Sequence, residues 1–163
     1  MDKAESFQPI IDQRARVLIL GSMPGVQSLN EQRYYANPRN HFWRIMQAVL
    51  SMPGGLDYEE RIEFLQQTGV ALWDVIASCE RRGSLDTHIK NETVNDFDNL
   101  FLAYPAIRLV AFNGTKAFTV YKKRVEFGGM DDITYKLMPS TSAANTIPFE
   151  HKCQQWRVIL DFL

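Results

Sequence analysis

Arg16-Val17-Leu18-Ile19-Leu20-Gly21-Ser22-Met23-Pro24-Gly25 is the stretch on which the fold turns. A short unbroken apolar run ending at Gly reads as a strand buried on both faces, and the Pro and Gly that follow make its exit loop sharp. Downstream, Phe42, Ile45, Met46, Val49 and Leu50 recur at helical spacing, with Asn40 placed to cap the first turn. Residues 57–67 carry Tyr58, Ile62 and Leu65 on one stripe, and Gly69 stops that helix before a second apolar strand over 70–76. Residues 78–92 are polar and show no sustained period, which predicts a long loop. A helix is expected over 94–104, with Phe97, Leu100 and Phe101 on one face, and a third buried strand over 108–112. Asn113-Gly114-Thr115 then turns into a helix over 116–123, a short fourth strand covers 135–138 up to Pro139, and residues 150–162 close the chain as a helix with Cys153, Trp156, Ile159 and Leu160 inside.

Strands alternating with helices imply right-handed crossovers, hence a three-layer α/β/α fold around a mostly parallel four-stranded sheet, with residues 1–163 as one domain. Ligands of such sheets gather outside the carboxyl ends of the strands. Three loops leave those ends with unusual chemistry: 21–25, 112–115 and 139–145.

A chain of 163 residues with 45% hydrophobic content is enough for one core. No apolar run reaches the roughly 18 residues that span a bilayer, and residues 1–8 lack the basic-then-apolar pattern of a signal peptide, so the expectation is a cytoplasmic protein with no membrane partner. Cys79 and Cys153 have no Cys or His at zinc-ligand spacing, and His41, His88 and His151 are not grouped, so no metal or other cofactor and no disulfide framework is expected. The net charge of −1 excludes a broadly basic nucleic-acid binder. Contact with phosphate would have to be local, through Arg81-Arg82, Lys122-Lys123-Arg124, or Arg33, Arg39 and Arg44.

The loop Gly21-Ser22-Met23-Pro24-Gly25 lets a backbone come close to a phosphate or a base, yet it lacks the Lys of a P-loop and the Gly-x-Gly-x-x-Gly spacing of dinucleotide binders. Beside it in sequence stands Tyr34-Tyr35-Ala36-Asn37-Pro38-Arg39-Asn40-His41-Phe42-Trp43, whose aromatic rings suit stacking on a planar base. On the residues alone, two classes stay open: an enzyme acting on an extruded base, and a non-catalytic α/β domain that binds a nucleotide or flavin at the same loops.

Those two segments, together with Met138-Pro139-Ser140-Thr141-Ser142-Ala143-Ala144-Asn145, Ala71-Leu72-Trp73-Asp74-Val75 and Phe112-Asn113-Gly114, resemble the hypoxanthine-DNA glycosylase family of the uracil-DNA glycosylase superfamily. The resemblance implies a metal-free, monofunctional DNA glycosylase that removes deaminated bases, chiefly hypoxanthine, with uracil and xanthine as further substrates and a uracil- or mismatch-specific enzyme as the alternative. Met23 stands where mismatch-specific uracil glycosylases carry a water-orienting Asn, so the resemblance moves the catalytic amide to Asn40. Ser22, Met23, Tyr35, Phe42 and Asn113 are then expected to surround the base, with Tyr35 and Phe42 stacking and Asn113 reading its lactam edge. Pro24, Gly25, Ser140, Thr141, Ser142, Ala143 and Asn145 are expected to meet the DNA. Met138 replaces the His or Asn that commonly opens the superfamily's last motif, which removes a stabiliser of departing uracil. The implied partner is DNA containing deaminated bases, engaged by a monomer.

Overall fold

The computed structural model describes residues 3–128 and 132–163. Its central sheet is built from β2 (Val17–Gly21), β3 (Val70–Asp74), β6 (Leu109–Asn113) and β7 (Thr134–Met138), in the order β3-β2-β6-β7 with every pairing parallel. Alternate residues of β2, β3 and β6 serve opposite faces and all are buried, which is why those runs are apolar up to their last residues, whereas the edge strand β7 is only partly buried and carries Thr134 and Lys136. Leu18, Leu20, Ala71, Trp73, Val110 and Phe112 pack on one side against α4 (Phe97–Ala103) and α5 (Thr115–Arg124). Val17, Ile19, Leu72, Leu109 and Ala111 pack on the other against α2 (Phe42–Leu50), α3 (Tyr58–Thr68) and α6 (Phe149–Trp156). The three-layer α/β/α architecture expected from the alternation of periods is the one observed.

Helix boundaries follow local chemistry. Asp57 and Glu60 form a reciprocal capping box at the start of α3, and Gly69 ends it in the left-handed region. The N-cap of α2 is His41, not Asn40, and it makes no side-chain cap bond; Asn40 lies one residue earlier, and its Oδ1 accepts the Phe42 N–H at 2.9 Å. The last segment leaves α-geometry after Trp156 and continues as a 3-10 turn over Arg157–Phe162.

The expected long loop over 78–92 is corrected. It contains β4 (Ile76–Glu80), a 3-10 turn (Asp86–His88) and β5 (Lys90–Val94), and with β1 (Lys3–Glu5) it forms a second, antiparallel sheet of order β1-β4-β5. Register shifts between Ile76 and Ser78 and between Ser78 and Glu80 break the two-residue period, so no alternation is visible in the sequence. The strand expected over 70–76 is accordingly two: β3 ends at Asp74, and Val75 donates its N–H across to Gly21 O before β4 begins in the other sheet. The helix expected from residue 94 starts at Phe97, because Val94 pairs with Ile76 and Asp96 provides the cap. A short α1 (Val26–Glu31), which the sequence reading does not anticipate, follows the first loop. No helix among the described residues is long and apolar enough to cross a membrane.

Candidate active site

The parallel register brings four strand ends to one edge. Gly21 lies opposite Asp74, and Asn113 opposite Met138. Chain order reverses between β2 and β6, which is where a crevice opens in such sheets. Here the crevice is a cavity of about 390 Å³ lined by the 21–28 segment, Tyr34, Tyr35, Asn37, Asn40, Asp74, residues 84–87, Asn113, and Ser140, Thr141, Ser142, Ala144 and Asn145. Its size is in the range of small-molecule sites.

Tyr35 is held in an uncommon backbone state, with φ of 54°, which for a bulky side chain costs about 1–3 kcal/mol. The surroundings offset that cost. Its ring stacks on Phe42 at 3.9 Å between centroids and 14° between planes, and its hydroxyl accepts a hydrogen bond from Asn113 Nδ2 at 3.1 Å. Phe42 is completely buried and does not line the cavity, so the expected pair of stacking rings becomes a stack in depth: Phe42 supports Tyr35 from behind. Burial raises the Tyr35 phenol well above its ordinary value, so the ring is neutral at physiological pH.

Asn113 joins three segments. Its Nδ2 donates to Tyr35 Oη and to Thr141 Oγ1 at 3.0 Å, and its Oδ1 accepts the Thr141 N–H at 2.9 Å. Both N–H donors are therefore spent, and one Oδ1 lone pair remains. In this arrangement the amide has a single acceptor position left for the lactam edge it is expected to read. Gly114, at φ of 96°, permits the close approach of this turn to the last loop: a Cβ there would meet Ser140 Cβ at 3.1 Å. His41 N–H donates to Thr141 O at 2.9 Å and fastens the Asn40 segment to the same loop.

Loop 139–145 rests on α6. Trp156 Nε1 donates to Pro139 O, and the buried Lys152 ammonium donates to Ser142 O and Asn145 O at 3.3 and 3.1 Å. Burial lowers the Lys152 pKa, and burial followed by the nearby Lys152 charge lowers that of His41. Ala143 is exposed on this loop, whereas Thr141 is buried and serves as scaffold.

The opposite wall comes from the segment expected to be a loop. Ser22 Oγ donates to Asp86 Oδ1 at 2.6 Å, and Ser84 Oγ accepts the Val26 N–H at 2.8 Å. Arg81 is buried and donates to Pro24 O and Ser84 O, so it braces the Pro24-Gly25 turn and is withdrawn from phosphate contact. Arg33 and Arg44 remain exposed but lie over the rings of Tyr58 and Phe149, at 5.3 and 4.8 Å. Arg39 is exposed, in the segment between the lining residues Asn37 and Asn40. Met23 is buried at the cavity wall.

Asp74 was not anticipated as a site residue. It is 4% exposed at the cavity, its Oδ2 has no hydrogen-bond partner among the described residues, and its pKa is raised to about 7 by desolvation, then by Asp86, with Arg81 opposing. Gly21 makes room for it, since a Cβ at that position would stand 2.5 Å from Asp74 Oδ1 and 3.3 Å from Tyr35 Oη. The signal in the sequence was a carboxylate closing the apolar run Val70-Ala71-Leu72-Trp73, where burial of a charge calls for a reason. Among the described residues no cluster of His, Cys, Asp and Glu has metal-binding geometry.

Comparison with known proteins places this arrangement. The family model of the uracil DNA glycosylase superfamily matches residues 8–163. The chain is similar to the hypoxanthine DNA glycosylase of Methanosarcina acetivorans, 34% identical over 94% of this chain and 95% of that protein, and to that of Methanosarcina barkeri, 34% identical over 94% and 96%. A solution NMR structure of a candidate uracil DNA glycosylase from Methanosarcina acetivorans superposes with a TM-score of 0.85 at 33% identity, covering 97% of this chain and 96% of that one. The chain belongs to the uracil DNA glycosylase superfamily, as the five motif segments implied.

Proposed function

We propose that this chain is a monofunctional DNA glycosylase that excises deaminated bases from DNA, chiefly hypoxanthine, and acts as a monomer in the cytoplasm. The observation that carries the reading is one cavity at the sheet's carboxyl edge that holds an aromatic ring backed by a second ring, an oriented amide at Asn40, and a braced small-residue loop. The similarity to two hypoxanthine DNA glycosylases over nearly the whole chain supports the choice of base.

In this mechanism the damaged nucleotide leaves the helix stack, at a cost of a few kcal/mol that is least for a poorly paired base. The outer face of Tyr35 takes the extruded base, while Ser140, Ser142, Ala143 and Asn145, with Pro24 and Gly25 across the cavity, meet the strand on either side. Cleavage develops positive charge on the sugar and negative charge on the base. Asn40 Oδ1 has one lone pair on the Phe42 N–H, which fixes the amide, and a second for a water beneath the sugar. An amide is too weak a base to ionise that water, so it orients the attack on an oxocarbenium-like sugar. Met23 carries no hydrogen-bonding group suited to that task, which favours Asn40 over the first loop. Among the described residues no lysine lines the cavity, and Lys152 lies behind the loop on the Ser142 and Asn145 carbonyls, which argues against an imine-forming nucleophile.

Duplexes carrying one deoxyinosine, deoxyuridine, deoxyxanthosine or ordinary base, incubated with the protein and then treated with alkali, test the reading. Cleavage at deoxyinosine above all others is expected, and no abasic product from any duplex refutes it.

A further inference from the structure

A buried carboxyl group stands at the floor of the cavity with no task in the mechanism above. Asp74 ends β3 beside Gly21, its main-chain carbonyl fixed by Asn95 Nδ2 at 2.7 Å, and its Oδ2 is shielded from solvent with no partner among the described residues. Leaving such a group unpaired costs free energy, and functional sites are where that cost is commonly tolerated. The polar groups facing it are few. Tyr35 Oη approaches from the aromatic wall, Asp86 from the 3-10 turn and Arg81 from the end of β4, with Tyr34 behind Tyr35. Arg81 is committed to Pro24 O and Ser84 O and forms no ion pair with Asp74 among the described residues, while Asp86, bonded to Ser22, sets a second carboxylate nearby.

We propose that Asp74 is a catalytic acid of this site: in its protonated form it hydrogen-bonds a ring nitrogen of the extruded purine and delivers its proton there as the glycosidic bond breaks. This rests on the glycosylase reading of the same cavity. The C1′–N9 bond breaks with its electron pair going to the base, the Asp74 proton neutralises the base at N7 or N3, and Asp74 is left as a carboxylate. The water held by Asn40 adds to C1′ and releases a proton to solvent, and solvent reprotonates Asp74 after the base departs. Desolvation keeps a substantial fraction of the group protonated near neutral pH, the condition a general acid needs. Departing uracil has no free ring nitrogen of this kind, so the device favours purines.

The test is single-turnover excision from a deoxyinosine duplex by the wild-type chain and Asp74→Asn, from about pH 5.5 to about pH 9. The acid is active below its pKa, so the wild-type rate should fall about tenfold per pH unit above about 7. Asp74→Asn should be about 100-fold slower or more at about pH 6, with no such decline and with duplex affinity within about threefold of wild type. A variant within about threefold of the wild-type rate, or one that keeps the alkaline decline, overturns the role. With the wild-type chain alone, duplexes carrying 7-deaza- or 3-deaza-deoxyinosine give a second reading. One of the two analogues should be released slowly and without the alkaline decline, and wild-type behaviour with both overturns the proposal. A wild-type chain inert toward deoxyinosine at every pH overturns the glycosylase reading and this inference with it, whereas an active wild type with an unaffected variant overturns Asp74 alone.

Discussion

Replacing Asp74 by Asn changes how stability depends on pH, and the structure sets the size of the change. The carboxyl titrates at 3.8 when solvated and at about 7 in the fold, where desolvation is the main cause. A raised folded pKa means that the fold prefers the protonated form. The contribution of Asp74 is therefore most favourable below the unfolded value, declines as pH rises from about 4, and reaches its floor above about 7. At 1.36 kcal/mol per pH unit between the two values, ionised Asp74 costs the fold about 4 kcal/mol, of which about 3 kcal/mol develops between about pH 5 and about pH 8. Asn has nearly the same shape and does not titrate. Any pairing cost of its amide is the same at both pH values and cancels in the comparison. Urea unfolding of both proteins at the two pH values measures the difference: the stability of Asp74→Asn relative to wild type should rise by about 3 kcal/mol on going to the higher pH. Parallel pH dependence of the two proteins, within about 0.5 kcal/mol, would show that Asp74 is not desolvated as described and would refute the reasoning.

Further outcomes follow from the same contacts. Asn40→Ala removes both the proposed water ligand and the acceptor for the Phe42 N–H. It should lower single-turnover excision by about 100-fold or more while reducing stability by only about 1 kcal/mol, read by chemical denaturation. Gly21→Ala sets a methyl 2.5 Å from Asp74 Oδ1. It should destabilise the fold by about 1–3 kcal/mol and weaken binding of deoxyinosine duplex, as the cavity floor is displaced. Phe42→Ala withdraws the buried ring beneath Tyr35 and should cost about 3–5 kcal/mol in denaturation, whereas Tyr35→Phe keeps the stack and should cost far less. Lys152→Met leaves the Ser142 and Asn145 carbonyls without their buried donor. It should cost about 1–3 kcal/mol and weaken duplex affinity more than the rate at saturation, measured as a KM-against-kcat split.

Much of this was legible in the sequence because the physics is local. Buried parallel strands announce themselves as apolar runs, so Val17–Gly21 and Leu109–Asn113 were placed within a residue, and with them the edge where the site lies. Tyr35 and Asn40, singled out by the aromatic-rich 34–43 segment and the family resemblance it carries, both line the cavity. The antiparallel sheet was hidden for the opposite reason: Lys90–Val94 is half-exposed, and bulges in Ile76–Glu80 scramble its period. Its consequences for the site were hidden as well. Arg81 looks like a phosphate ligand until tertiary structure turns it inward to Pro24, and Asp74 looks like a strand terminus until Gly21, Tyr35 and Asp86 close around it. The double commitment of Asn113 likewise depends on Thr141, a partner from a distant segment that no local pattern announces.

Hydrolytic release of an intact base by a water that Asn40 orients is tested most directly by product analysis in oxygen-18 water. A duplex with one deoxyinosine, treated with the wild-type chain and examined by mass spectrometry, should yield free hypoxanthine and an uncleaved abasic strand that carries the heavy oxygen at C1′, and Asn40→Ala should yield neither. Absence of free hypoxanthine, strand scission without alkali, or undiminished release by Asn40→Ala would contradict it.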